Sequence, residues 1–174
     1  MFRQEGATLI EVLVAVLLLS FGIVGLAGLQ MTGAKFNHGS YLRSQGTALA
    51  YDMADRIRAN LDACQGAACS YNTALATVFD GNAVQACGRP QASQPTPQAM
   101  AAVDVNQWKD CIERTLPQGR GFVQVAGVAG DYDDQCGVRH GGVGIVVIEV
   151  NWAEGRLQGA GGRDCVVVRT DVRP

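Results

Sequence analysis

The chain has no charged residue from Val12 to Leu29, no cysteine before Cys64, and few aromatics anywhere (6%). Each shortage excludes something. A long uncharged run suits a bilayer or the centre of a helical bundle, not an ordinary surface helix. Few aromatics beside 22 glycines exclude a large core and favour a small domain with many turns. Basic residues are not in excess: the net charge is −2 and the arginines are scattered, so no nucleic-acid surface is expected. There is no Cys-x2-Cys pair, and His38 and His140 stand apart from any ligand spacing, so zinc is not expected either. The string His-Gly-Gly-Val-Gly at 140–144 resembles an oxyanion loop but has no Gly-x-Ser-x-Gly elbow to serve. Asp131, Asp133 and Asp134 lack the full pattern of a calcium loop and read as a solvated turn. No catalytic residue, metal or cofactor is expected.

What is there begins with the N-terminus. Residues 7–29 are apolar apart from Glu11 and a few small polar residues, and a helix of that length spans the ~30 Å hydrocarbon core of a membrane. The helical pattern then continues. Leu42, Leu49, Met53, Ile57 and Leu61 recur at steps of seven and four, with Ala50 and Ala54 beside them. One helix is expected from about residue 7 to about 61. Its first part is apolar all round, and its second part is amphipathic. Gly22, Gly25, Gly28 and Gly33 lie in it, compatible with close helix packing or with local bending.

Six cysteines follow, at 64, 69, 87, 111, 136 and 165. An even count confined to the far side of a membrane segment implies disulfides in an oxidising compartment. Three segments rich in β-branched residues, 121–128, 143–152 and 165–172, read as strands. Cys136 precedes the second and Cys165 opens the third, so adjacent strands would bring this pair together. Cys87 with Cys111, and Cys64 with Cys69, are the pairings left over. Residues 62–103 read as loops with at most short elements, including the Pro/Gln-rich stretch "GRPQASQPTPQ". Asp104 and Gln107 fit a capping box. Trp108, Cys111, Ile112 and Leu116 follow on one helical face, ended by Pro117 and Gly119. Trp108 reads as core rather than as a ligand-stacking residue.

The stretch Gly6-Ala7-Thr8-Leu9-Ile10-Glu11 resembles the processing motif of type IV prepilins and pseudopilins, with Ala7 where Phe is usual. The resemblance implies an α+β, pilin-like fold: a long N-terminal helix, transmembrane in its first half, packed on a small antiparallel sheet. It divides the chain into a leader at 1–6, a membrane and filament-core helix at 7–30, and an amphipathic half at 31–61. A loop region at 62–120 with a short helix near 105–116 follows, then a sheet region at 121–174. It implies cleavage between Gly6 and Ala7 by a prepilin peptidase and methylation of the new amine. It gives Glu11 a role in docking against the free amine of a neighbouring subunit, and a buried carboxylate does demand a partner. A second resemblance rests on Asp104, Trp108, Leu116, Pro117, Gly119 and Gly121. It is to the PilV group of minor pilins, the type IV pilus modification proteins. The expected partners are then other minor pilins, the major pilin and a tip adhesin. The expected location is a bacterial inner membrane with a periplasmic C-terminal domain, and later the filament, in a structure that serves adhesion and twitching motility. Pseudopilins of type II secretion share the long helix and remain the alternative. A membrane-anchored periplasmic binding module or enzyme is the further one.

Overall fold

The computed structural model describes residues 8–65, 68–72, 87, 96–125, 145–154 and 162–171. The chain divides into two compact units, Met1–Ser40 and Tyr41–Pro174.

The first unit is helical. Helix α1 (Leu9–Ala59) begins in it and runs unbroken through Gly22, Gly25, Gly28 and Gly33. The glycines therefore do not interrupt the helix, and a Cβ added at any of them would meet nothing within 4 Å. Its polar side chains are accommodated locally. Ser20 Oγ donates to the Val16 carbonyl at 2.7 Å and Thr32 Oγ1 to the Gly28 carbonyl at 3.0 Å. Such back-bonding satisfies a hydroxyl where no water need be present.

In the second unit the remainder of α1 is followed by a 3-10 turn (Leu61–Ala63) and a short hairpin, β1 (Cys64–Gln65) and β2 (Ala68–Cys69). Helix α2 (Pro97–Thr115) and three strands complete it: β3 (Arg120–Val125), β4 (Ile145–Ala153) and β5 (Arg163–Asp171). The strands form one antiparallel sheet in the order β3-β4-β5. Val123 faces Ile148 across one pair, and Ile148 faces Val168 across the other. The layout is α+β and pilin-like, a long apolar N-terminal helix followed by a small antiparallel sheet.

The core lies between the helices and one face of the sheet. It joins Leu42, Ala50, Met53, Ala54 and Ile57 of α1, Trp108 and Ile112 of α2, and Val146, Ile148, Val150 and Trp152 of β4. The buried line on α1 takes in Leu42, Met53 and Ile57 of the periodic stripe and leans toward the small residues beside it. Leu49 is only partly buried and Leu61 is 37% exposed, while Ala50 and Ala54 are fully buried. The reason is close approach. The Trp152 ring lies so near Gly46 that a Cβ there would sit 2.6 Å from Cζ3. Small residues form the contact because a large aromatic fills the gap from the sheet side.

Helix α2 starts earlier than its capping-box pattern suggests. Thr96 is the N-cap, its side chain accepting from the Ala99 N–H at 3.2 Å, and Pro97 occupies the first helical position. Asp104 and Gln107 lie inside the helix, where both accept from Arg56 (3.1 and 3.3 Å). The expected helix near 105–116 is therefore corrected to Pro97–Thr115, because the Thr-Pro start signal lies in a stretch read as loop. Beyond α2, Gln118 has φ 50°. Gly119 packs so tightly that a Cβ would lie 2.6 Å from the Ile112 carbonyl oxygen. This turn delivers the chain to β3 and is pinned by the Ala153 N–H donating to the Pro117 carbonyl at 2.9 Å.

Candidate functional site

The site is built on the apolar helix of the first unit. Every large apolar side chain from Leu9 to Met31 is exposed, including Ile10 (71%), Phe21 (70%) and Leu29 (73%). Within its most apolar window no residue is buried by the rest of the chain. By length and composition it can cross a membrane. Glu11 sits in its first turn. Its backbone N–H donates to the Thr8 carbonyl at 3.1 Å. Among the described residues its carboxylate has no hydrogen-bond or ion-pair partner. A carboxylate in the first turn is favoured by the positive end of the helix dipole, but only by ~0.3–1 kcal/mol at an exposed site. That leaves most of its electrostatic capacity for a cation from elsewhere. Gly6 and Ala7 lie outside the described residues.

The second unit holds the cysteines. Cys64 is disulfide-bonded to Cys69, closing the β1–β2 hairpin at its paired ends. Cys87 is bonded to Cys111, fastening the chain before α2 to that helix. Cys165 is also disulfide-bonded. Cys136 lies outside the described residues, as do Asp131, Asp133, Asp134 and His140. Trp108 is fully buried and its indole N–H donates to the Leu49 carbonyl at 2.8 Å, the environment of a core residue and not of a ligand platform.

Sequence reasoning missed a set of polar links that hold the second unit together. Tyr71 donates its hydroxyl to Asp104 at 2.7 Å, and Asp104 also takes Arg56. Burial and the neighbouring Asp104 push the Tyr71 pKa well up from its ordinary value. Arg163 donates to Asn151 Oδ1 at 2.6 Å and to the Gln118 carbonyl at 2.7 Å, and Asn151 donates to Glu149 at 3.0 Å. Arg43 pairs with Asp164 at 2.7 Å. Burial alone would raise the Asp164 pKa. The Arg43 hydrogen bond and charge, with the Cys165 N–H, outweigh it and hold the carboxyl below the usual range. Lys109 is buried on α2, and burial lowers its pKa to about 8 against the opposing pull of Glu113. Most of these links join residues far apart in the sequence, as Tyr71–Asp104, Arg56–Asp104, Arg163–Gln118 and Arg43–Asp164 do, so only the folded arrangement exposes them.

Residues 1–27 match the model of the prokaryotic N-terminal methylation motif. This supports placing the chain in the type IV pilin and pseudopilin family. The match ends within the first unit and does not reach the sheet. No curated protein and no solved structure matches the chain. A pilin-type motif implies processing by a prepilin peptidase and association with other pilins. Together with the exposed apolar helix it is consistent with membrane anchoring and pilus assembly. It also suggests a structural protein rather than an enzyme.

Proposed function

We propose that the chain is a minor pilin of a type IV pilus, which joins other minor pilins to initiate assembly and sits at or near the filament tip. The observation that carries this reading is Glu11: a carboxylate with no partner among the described residues, in the first turn of an apolar helix exposed on every side. Such a helix needs lipid before assembly and other helices afterwards. Met1–Gly6 is the leader. Cleavage after Gly6 creates an amine at Ala7, methylated in the mature chain, and the Glu11 of one subunit pairs with the amine of the next. In the low-dielectric centre of a helical bundle that pair is strong and selects register. The major pilin and a tip adhesin are further partners. The second unit projects from the membrane into the periplasm, where its disulfides form. The PilV-like spacing from Asp104 to Gly121 supports a pilus over the pseudopilus of a type II secretion system, the second reading.

The decisive experiment is substitution of Glu11. Glu11→Ala and Glu11→Gln should leave abundance, membrane insertion and cleavage normal. Co-purification with other minor pilins and the number of surface filaments should both fall sharply, with Glu11→Asp intermediate. Wild-type assembly by the Ala and Gln variants would refute the docking role. Intact mass supplies the companion test. The mature protein should lack residues 1–6 and carry one added methyl, and Gly6→Ala should remain inserted but uncleaved.

A further inference from the structure

Two charges bracket the exposed helix. Between Glu11 and Lys35 the sequence contains no Asp, Glu, Lys, Arg or His. Helix α1 is continuous across this interval, so the 24 residue steps from one charge to the other place their Cα atoms about 36 Å apart. A bilayer's hydrocarbon is ~30 Å thick, and ~40–45 Å with the headgroup layers. One position along the membrane normal therefore sets both charges just outside the hydrocarbon. Sliding the helix by one turn, ~5.4 Å, draws one of them about 2 Å into the hydrocarbon, and the cost grows toward the ~2.5–3.5 kcal/mol of a charge at the bilayer centre as the slide goes on. The polar residues near the far end, Gln30 and Thr32, fall within its last turns, where Thr32 already bonds to the Gly28 carbonyl.

Directly after Lys35 comes Phe36, a large apolar ring that is 62% exposed, and then exposed Asn37 and His38. Polarity returns here, yet one aromatic remains outside. A long-stemmed cation beside an exposed ring suits the boundary between acyl chains and headgroups. We propose that Lys35 and Phe36 form a membrane anchor in the leaflet distal to the N-terminus. The Lys35 ammonium binds a phospholipid phosphate, and the Phe36 ring lies among the uppermost acyl carbons. The anchor fixes the helix in one register before assembly. In that register the Glu11 carboxyl stays hydrated at the opposite headgroup layer and loses that hydration only when the helix leaves the bilayer. The inference rests on α1 crossing a membrane, and not on the pilus or tip assignment.

The test uses the full mature chain in nanodiscs of phosphatidylethanolamine and phosphatidylglycerol, with bromine placed either on shallow or on deep acyl carbons. Trp108 and Trp152 are both fully buried in the second unit and give a background common to all variants. Ile23→Trp reports the midpoint between the two charges, and Phe36→Trp reports the proposed edge. The added emission of Ile23→Trp should be quenched at least about twofold more by deep than by shallow bromines, and that of Phe36→Trp the reverse. In the Phe36→Trp background, Lys35→Leu should move the quenching toward the deep bromines, whereas Lys35→Arg should keep it shallow. Several outcomes overturn the proposal. If Ile23→Trp is quenched and Phe36→Trp is not, residue 36 stands in water. If Phe36→Trp is quenched most by deep bromines, Lys35 lies in hydrocarbon. If Lys35→Leu changes nothing, the cation does not hold the register. Quenching of neither reporter would overturn the membrane span itself, a failure distinct from that of the anchor.

Discussion

From Leu9 to Met31 every large apolar side chain of α1 is exposed, whereas from Leu42 to Ile57 the same helix buries Leu42, Ala50, Met53, Ala54 and Ile57 completely or nearly so. The more apolar half is the one left uncovered. Hydrophobicity alone therefore does not decide burial within a chain. What decides it is whether the chain carries a complementary surface. The second half meets Trp108, Trp152 and the sheet. Among the described residues the first meets no such surface in its own unit, which is consistent with membrane anchoring and association with other chains. The glycines follow the same division. Gly22, Gly25 and Gly28 face open space, while Gly46 has no room for even a methyl group.

The sharpest way to test this contrast is to truncate one large side chain in each half and follow unfolding by the fluorescence of the two tryptophans, both in the second unit. Trp108→Ala should destabilise that unit by ~3–5 kcal/mol, with Trp152 as the remaining reporter, because it empties the centre of the core. Leu19→Ala should leave the same transition unmoved. A comparable loss from both would mean that the apolar helix is part of the folding unit.

Glycine gives a smaller and more selective comparison. Gly46→Ala should cost ~1–3 kcal/mol, since the Trp152 ring must shift. Gly25→Ala should be neutral or slightly stabilising, as a helical glycine in open space gives up ~1 kcal/mol of propensity relative to alanine. Equal effects would show that propensity and not proximity governs both sites.

Titration confines the comparison to the second unit. The Lys109 pKa is lowered in the folded state to about 8, so between there and its ordinary ~10.4 the unfolded chain holds more protons. Stability should therefore rise with pH across that window. The gain is full above the unfolded value and absent below the folded one. Lys109→Met should flatten the rise between pH ~8 and ~10, measured by chemical denaturation. Above ~10 the raised Tyr71 acts oppositely, because the unfolded tyrosine ionises first.

The smallest expected effect belongs to Arg43 and Asp164. The pair is short, but the Arg43 side chain is 63% exposed, so solvent screens it and Arg43→Ala should cost no more than ~1 kcal/mol. The Asp164 pKa is depressed in the folded state. Its contribution is present above the ordinary carboxylate value of ~3.9 and lost as pH falls through the folded one. The difference between wild type and Arg43→Ala should thus shrink in acid and in high salt.

Much of the architecture was legible because its signals are local and repeated. The uncharged run, the seven-and-four spacing and the three β-branched segments each state a preference that neighbouring residues reinforce. They yielded the long helix, the strands and the class of fold. The motif at Gly6–Glu11 is likewise a string of adjacent residues, within the matched residues 1–27. Where the reading slipped, a weaker local signal competed with a stronger one. Asp104 and Gln107 carry the spacing of a cap, yet Thr96 and Pro97 start the helix and leave both residues to bind Arg56. By itself, then, the sequence determined that a long apolar helix precedes a small disulfide-bearing domain, because length, charge and periodicity act along the chain. Only the tertiary structure decided which small residues let Trp152 approach α1, and which distant side chains join Arg56, Asp104 and Tyr71. Those choices depend on contacts between elements, and no local pattern encodes the distance across a core.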